Sequence, residues 1–193
     1  VGVLPGGARH IIVGAHLDHV GSNMDGTYNA GAMDNASGVA AMIEIARALS
    51  ASPVRPPLTV VFVAFNGEEQ EMQGSAHYAR NPWHPVDGGG MINIDCVGAS
   101  EPGPLTINEF SAMMTQMAHD LYELSGRLGI EAEMGSSSAS DHAHFALAGI
   151  EAIDLTDSGF YSVYHGPFDT LDQIDIGRVV QAVRLVAVYV CMH

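Results

Sequence analysis

The stretch "GAHLDHVG" at residues 14–21 follows the apolar run "ARHIIV" at residues 8–13, so a buried strand is predicted to end among polar side chains. His16 and Asp18 are two residues apart and therefore project to the same side of an extended chain. We interpret Asp18 as the acceptor of the second ring N–H of His16, which would fix the tautomer of a metal-binding histidine. Taken alone, the pair fits a structural role equally well. His19 has no such partner in the sequence, and we interpret it as a bystander.

The composition indicates one acidic domain. At 193 residues the chain has a usual single-domain length, and its 22 acidic residues against 7 basic ones give a net charge of −15. All the basic residues are arginines, so lysine chemistry such as a Schiff base or a P-loop is excluded. Without a basic stripe, nucleic acid and anionic membranes are disfavoured as partners, and no apolar run reaches the ~20 residues of a membrane span. We interpret Cys96 and Cys191 as small buried apolar side chains.

Strand-like and helix-like patterns alternate along the chain. Apolar runs predict strands at 10–15, 58–65, 91–97, 105–108 and 150–155, and the N-terminal "VGVLPGG" also resembles a strand. Helical spacing of apolar residues predicts helices over 39–49, 110–124 and 176–190. This alternation predicts an α/β fold, a three-layer sandwich with a mainly parallel central sheet flanked by helices. In such sheets ligands bind beyond the carboxyl ends of the strands.

Polar residues follow several of these strands. Glu68 and Glu69 are adjacent, so one of them can bind a metal while the other reaches a bound water. Asp95 interrupts an apolar run, and a buried carboxylate requires a partner. Each of these positions also has a simpler interpretation. The segment around Asp34 could cap a helix, the two glutamates could be a solvated pair, and His165 could be a surface histidine. Asp169, four residues after His165, could orient its ring.

Together these positions form a candidate metal centre without thiolate ligands. Oxygen and imidazole donors suit Zn, with Mn or Co as substitutes. Five ligands are more than one catalytic zinc ion needs, so two metal ions that share one carboxylate fit the count. Three carboxylates and two dications leave a single positive charge, which a bridging hydroxide would cancel. The proposed metal ligands are His16, Asp34, Glu69, Asp95 and His165.

The chain resembles the dizinc aminopeptidases of the bacterial leucyl aminopeptidase and Streptomyces aminopeptidase type. Six motifs carry the resemblance in order along nearly the whole chain: "GAHLDHVG", "GAMDNASGVA", "FNGEEQEMQGS", "INIDCVG", "SDHAHF" and "YHGPFDT". The resemblance implies a zinc-exopeptidase fold, a single catalytic domain over residues 1–193 that lacks a family segment at its N-terminus, and a secreted or periplasmic location.

The resemblance also implies a role for each motif residue. His16 and Asp95 would bind one zinc ion, Glu69 and His165 the other, and Asp34 would bridge them, with a cis peptide bond after it. Glu68 would be the general base, Asp18 would orient His16, and Tyr164 would stabilise the developing oxyanion. Asp141 and His142 would lie in the substrate pocket. The implied substrates are peptides with a free N-terminus, and the strongly acidic charge favours uncharged, apolar N-terminal residues over acidic ones.

Three other functions remain open at this point. A glutaminyl cyclase would have the same fold with one zinc ion per chain. A metallo-carboxypeptidase or aminoacylase would need a cation for the substrate carboxylate, for which Arg80 or Arg127 would have to serve. A binding module without catalysis is disfavoured because every ligand position and Glu68 are filled.

Overall fold

The structure, a computed structural model, describes residues 1–86, 88–111 and 115–193, and one seven-stranded sheet runs through them. The strands are β1 (Gly2–Leu4), β2 (His10–His16), β3 (Thr59–Phe65), β4 (Gly88–Ile94), β5 (Leu105–Glu109), β6 (Ala132–Ser136) and β7 (Ala152–Asp157). Their spatial order is β1-β3-β2-β4-β7-β5-β6, and four of the six pairings are parallel. The mainly parallel sheet is therefore confirmed.

Helices cover both faces of this sheet. They are α1 (Gly38–Ala51), α2 (Gln73–Arg80), α3 (Gln116–Leu128), α4 (His142–Leu147) and α5 (Ile176–Met192). One face packs against α1, α3 and α5 through a large apolar cluster that includes Ile11, Val13 and Ile92. The other face packs against α2 and α4 through a smaller cluster, in which Phe65, Tyr78 and Phe145 are in mutual ring contact. Successive side chains along each strand point to opposite faces, so the continuous apolar runs make both faces of the sheet apolar.

Several predicted boundaries differ from the structure. The helix predicted over 110–124 begins at Gln116, where the Thr115 side chain caps it by accepting the N–H of Ala118, and the predicted core residue Met113 lies outside the described residues. Strand β4 ends at Ile94, before the predicted end at residue 97. The elements α2, α4 and β6 were not predicted, because they are short or lack apolar periodicity. Within the described residues, none of the helices combines the length and apolar character that a membrane span requires.

The two cysteines have different environments. Cys96 is a buried free thiol, as predicted, whereas Cys191 is free and exposed on the last turn of α5. The expectation that Cys191 is buried is therefore wrong, because its position on α5 faces away from the apolar stripe formed by Leu185, Val186 and Val190. No disulfide joins the pair.

Candidate metal centre

The carboxyl end of β2 contributes the first half of the candidate centre. His16 is the last residue of β2 and is 1% exposed, and its Nε2 lies 3.2 Å from Asp95 Oδ1 and 3.2 Å from Asp34 Oδ1. Asp95 directly follows β4, the strand paired with β2, so the parallel sheet itself places these two side chains together. His16, Asp34 and Asp95 form the first of two groups that are able to hold a metal ion.

The second half shares Asp34 with the first. Asp34 Oδ2 lies 3.1 Å from His165 Nε2, while its Oδ1 faces His16. Glu69 Oε2 lies 2.9 Å from the same His165 nitrogen. All five predicted ligands therefore lie in one cluster, with the two Asp34 oxygens directed to different histidines.

His19 also belongs to this cluster, contrary to the interpretation of it as a bystander. Its Nδ1 lies 3.2 Å from Glu69 Oε1 and 3.9 Å from Asp34 Oδ2, and these three residues form the second group able to hold a metal ion. No local pattern predicts this contact, because the loop at 17–31 must turn back on itself to produce it. That turn is closed by a hydrogen bond of 3.0 Å from the N–H of Asn29 to the carbonyl of Gly21.

The donor atoms fit zinc in type and in spacing. Two ligands of a tetrahedral zinc ion, each about 2.0 Å from it, lie about 3.3 Å apart. The separations of 3.2 Å around His16 and of 3.1 Å between His165 and Asp34 are close to that value. In addition, Asp34 Oδ2 and Glu69 Oε1 are buried without a hydrogen-bond partner among the described residues, although buried carboxylate oxygens normally have one.

The electrostatics of the cluster favour a cation. Burial disfavours the charged form of His16, but hydrogen bonds with Asp34 and Asp95 outweigh burial and raise the pKa of His16 to about 12. Burial also opposes ionisation of Asp95, yet the hydrogen bond from His16 lowers the pKa of that carboxyl. A site that holds positive charge this strongly on an imidazole is one in which a bound dication is well stabilised.

The two adjacent glutamates share this acidic environment. Burial, followed by repulsion from the Asp95 carboxylate, raises the pKa of Glu68 to about 8. Burial and then the Asp34 carboxylate raise the pKa of Glu69 to about 7. Only Glu69 directs its carboxylate oxygens at His19 and His165. The two adjacent side chains therefore have different surroundings.

Asp18 connects the first histidine to the glutamates. The ring nitrogen Nδ1 of His16 lies 3.1 Å from the backbone carbonyl of Asp18 and 3.8 Å from its carboxylate, so the hydrogen bond goes to the carbonyl. The carboxylate instead accepts the backbone N–H groups of Glu68, at 3.1 Å, and Glu69, at 3.2 Å. The expectation that the Asp18 carboxylate accepts the His16 ring N–H is corrected accordingly, because that carboxylate already holds the turn after β3.

Asp169 has an equivalent contact with the segment that carries Asp34. Its carboxylate accepts the backbone N–H of Met33 at 2.5 Å and that of Asp34 at 3.0 Å, and the residue is 0% exposed. It therefore binds the Asp34 backbone rather than orienting His165. The peptide bond between Asp34 and Asn35 is cis, which confirms the expectation from the family motif.

Asn35 joins the same segment to β4 and α1. Its side-chain oxygen accepts the N–H of Gly38, the first residue of α1, at 2.9 Å, and its amide donates to the Ile94 carbonyl at 2.9 Å. A Cβ on Gly38 would lie 2.2 Å from that same carbonyl, so only glycine permits α1 to begin this close to β4.

Tyr164 lies beside the second half of the centre. Its ring stacks on that of His165 with centroids 3.7 Å apart, and burial raises the pKa of its hydroxyl. His165 itself has φ of 53°, a left-handed conformation that is uncommon for a residue other than glycine and that recurs at functional sites. This strained backbone presents the imidazole to Asp34 and Glu69.

A cavity of about 430 Å³ opens beside Asp95 and Tyr164. Most of its lining residues are of polar types, among them Glu133 and Asp154, and no arginine is among the lining residues. Asp141 and His142, the predicted pocket residues, are each 0% exposed and do not line it, whereas the neighbouring Ser140 does. A direct contact between substrate and either residue stays a prediction. Burial also raises the pKa of the Asp141 carboxyl group to about 7.

A chain of hydrogen bonds that supports Asp95 was not predicted from the sequence. Ser140 Oγ donates to Asp95 Oδ2 at 2.7 Å, and the amide of Asn93 donates to Ser140 at 2.8 Å and to Asp154 at 3.0 Å. Asn93 lies two residues before Asp95 in the sequence, which was the available signal. Ser140 comes from a distant loop, so its contact depends on the folded arrangement of β4 and α4.

The model of peptidase family M28 matches residues 1–190. The chain belongs to this family. It is 29% identical to aminopeptidase YwaD of Bacillus subtilis, in a match that covers 93% of this chain and 40% of YwaD. The chain thus spans less than half of that relative.

Solved structures agree with the fold. An aminopeptidase from Aneurinibacillus sp. strain AM-1 superimposes with a TM-score of 0.84 at 29% identity, covering 98% of this chain and 46% of that one. The glutaminyl cyclase of Porphyromonas gingivalis superimposes with a TM-score of 0.83 at 22% identity, covering 97% and 74% of the two chains. At this identity the second likeness concerns the fold alone.

Proposed function

We propose that this M28 chain is a zinc-dependent aminopeptidase that removes N-terminal residues from peptides and holds two zinc ions. The observation that carries the proposal is the position of Asp34, whose two carboxylate oxygens lie 3.2 Å from His16 Nε2 and 3.1 Å from His165 Nε2. One carboxylate directed at two separate histidines is what a bridging ligand requires, and a single zinc ion would need only one half of the arrangement.

The ligands divide evenly between the two ions. His16 and Asp95 would hold one zinc, Glu69 and His165 the other, and Asp34 would be shared between them. When bound, the zinc pair supplies Lewis-acid chemistry, lowering the pKa of the attacking water and polarising the scissile carbonyl. The backbone contacts of Asp18 and Asp169 position three of the carboxylates, those of Glu68, Glu69 and Asp34.

Glu68 is the proposed general base. Its carboxyl lies near Asp95 and His16 without being one of the clustered donors, so it is available to take a proton from the attacking water and return it to the leaving amine. Tyr164 borders the cavity next to His165, where its hydroxyl can donate a hydrogen bond to the oxygen that becomes negative during attack.

The charge of the cavity favours an aminopeptidase over a carboxypeptidase. The acidic residues Asp95 and Glu133 line it without a compensating arginine, so a free amine is better accommodated there than a free carboxylate. The two arginines considered for a carboxypeptidase lie elsewhere. Arg80 ends α2, and Arg127 borders a different cavity at the end of α3.

The test combines zinc analysis with a substrate panel. Protein purified without chelator is expected to bind two equivalents of zinc and to hydrolyse aminoacyl-anilides, with no cyclisation of N-terminal glutaminyl peptides. A plateau at one equivalent under added zinc, together with cyclisation and no anilide hydrolysis, would instead identify a glutaminyl cyclase.

A further inference from the structure

Three buried polar atoms converge at His19 without hydrogen bonds. His19 Nδ1, Glu69 Oε1 and Asp34 Oδ2 each lack a hydrogen-bond partner among the described residues. The imidazole nitrogen is nevertheless 3.2 Å from the Glu69 oxygen and 3.9 Å from the Asp34 oxygen. The side chains of Asp34 and Glu69 are only 4% and 8% exposed, so water does not readily replace a missing partner there.

The orientation of the ring argues against a simple hydrogen bond to Glu69. At 3.2 Å the two atoms are close enough to bond, but the N–H direction is not aligned with the carboxylate oxygen. Donor atoms that converge on a point rather than on one another are typical of ligands around an ion, and an edge of about 3.3 Å is that of a tetrahedral zinc site.

The surrounding backbone holds the ring in this place. Gly31 packs against it so closely that a Cβ would lie 2.8 Å from His19 Cγ, and Gly31 has φ of 69°. The loop at 17–31 is further closed by the paired side-chain amides of Asn23 and Asn29, 2.9 and 3.1 Å apart. His19 therefore occupies a built position rather than that of a freely rotating surface histidine.

We infer that His19 is a sixth protein ligand of the metal pair and binds the second ion through Nδ1, an inference that rests on the two-zinc site proposed above. The second ion is then held by two imidazoles, from His19 and His165, together with Glu69 and Asp34. The first ion has one imidazole, from His16. The second site is therefore the richer in nitrogen donors, which favours Zn²⁺ over oxygen-preferring ions such as Mn²⁺ or Mg²⁺.

The most direct test counts coordinating imidazoles in the unmodified protein. With Co²⁺ in place of zinc, the ring N–H proton of each coordinating histidine gives a strongly shifted, solvent-exchangeable proton resonance. The inference predicts three such resonances, from His16, His19 and His165, in the protein loaded with two equivalents of Co²⁺. Two resonances at full loading would overturn it, because His19 would then lie outside the coordination sphere.

A variant tests the same inference by affinity. In His19→Ala, the second equivalent of zinc is expected to bind about 100-fold more weakly in competition with a chromogenic chelator, since even loss of a group that only supports a ligand costs ~10–100-fold. The first equivalent should bind as in the wild type. The control is His77→Ala, which removes an exposed histidine on α2.

The outcomes separate this inference from the proposed function. Two tightly bound zinc ions in His19→Ala, with the wild-type affinity for both, would overturn the role of His19 and leave the two-zinc site intact. Binding of a single zinc by the wild-type protein would overturn both, since there would be no second ion for His19 to bind.

Discussion

The carboxylate of Asp169 accepts the backbone N–H of Asp34 at 3.0 Å across 135 residues of sequence. A second bond, to the N–H of Met33, ties the same carboxylate to the segment that carries the proposed bridging ligand. Asp18 supports the turn of Glu68 and Glu69 in the same way. The proposed metal ligands are thus positioned by two carboxylates, the buried Asp169 and the partly exposed Asp18, that are not proposed as ligands themselves.

Replacing Asp169 tests this support. In Asp169→Asn one acceptor oxygen becomes an amide donor that faces a backbone N–H, so the zinc-free protein should lose about 1–3 kcal/mol of unfolding free energy in urea. Zinc affinity should fall as well, because Asp34 is less well positioned. The control is Asp172→Asn, which alters an exposed aspartate in the same segment. Equal stability and equal zinc affinity in the two variants would contradict a supporting role for Asp169.

His142 is expected to make stability depend on pH. Burial lowers the pKa of its ring below the ordinary value of 6.5, while Nε2 lies 2.9 Å from the Ser137 carbonyl. Above pH 6.5 the ring is neutral in both the folded and the unfolded protein. Below pH 6.5 the unfolded chain binds a proton that the folded protein does not bind, so the free energy of unfolding falls as the pH falls. Replacing the ring with a side chain that does not titrate should remove this contribution.

Urea unfolding of zinc-free protein between pH 7 and pH 5 measures the effect. His142→Gln should show a shallower loss of unfolding free energy with falling pH, by up to about 1.4 kcal/mol per pH unit. His144→Gln, on the same helix but half-exposed, should keep the wild-type slope. A wild-type slope in His142→Gln would show that its protonation does not oppose folding.

The carboxylates of the cavity should discriminate against acidic substrates. Glu133 accepts a hydrogen bond from Thr106 at 3.1 Å on the cavity wall. Glutamyl- and aspartyl-anilides are expected to have the lowest kcat/KM of a panel of aminoacyl-anilides. Glu133→Gln should lower the ratio of kcat/KM for leucyl-anilide to kcat/KM for these acidic anilides by about 3- to 10-fold, mainly by lowering KM for the acidic ones. Glu131→Gln, outside the cavity lining, is the matched control. Faster turnover of the acidic anilides by the wild type would exclude this cavity as the side-chain pocket.

The layer order and the positions of His16 and Asp95 were predictable because they follow from strong local patterns, whereas Asp34 and His165 were selected only by the order of the family motifs. Continuous apolar runs predict strands buried on both faces, and a polar residue that ends such a run, like His16 or Asp95, has to lie at the carboxyl edge of the sheet. Four of the proposed ligands occupy that edge or the loops after it, and Asp34 lies in the short helical segment Ala32–Ser37 that precedes α1.

The supporting contacts were not predictable for a physical reason. Asp169 and Ser140 form hydrogen bonds, and His19 makes close contacts, with groups that are distant in sequence, and their own neighbours carry no periodic signal. The six residues of α4 are too few for a helical pattern, and "AEMGS" in β6 lacks the alternation of a half-buried strand. Close packing of loops, rather than local propensity, decides these positions.

The central hypothesis for the mechanism is that the adjacent residues Glu68 and Glu69 have different roles, one as general base and the other as metal ligand. Glu69 directs its carboxylate at His19 and His165, whereas Glu68 lies by Asp95 and His16 and is the proposed base. Substitution by glutamine keeps the shape of each side chain and removes its charge. Each variant is therefore the natural control for the other.

Zinc content and kcat measured side by side in Glu68→Gln and Glu69→Gln test that claim most directly. Glu68→Gln should retain two zinc ions and lose about 10²- to 10⁴-fold in kcat, the usual contribution of a positioned acid–base group. Glu69→Gln should lose zinc from the second site, because a neutral amide is a poor ligand. Near-normal kcat in Glu68→Gln, or loss of zinc there with zinc retained in Glu69→Gln, would contradict the assignment of base and ligand.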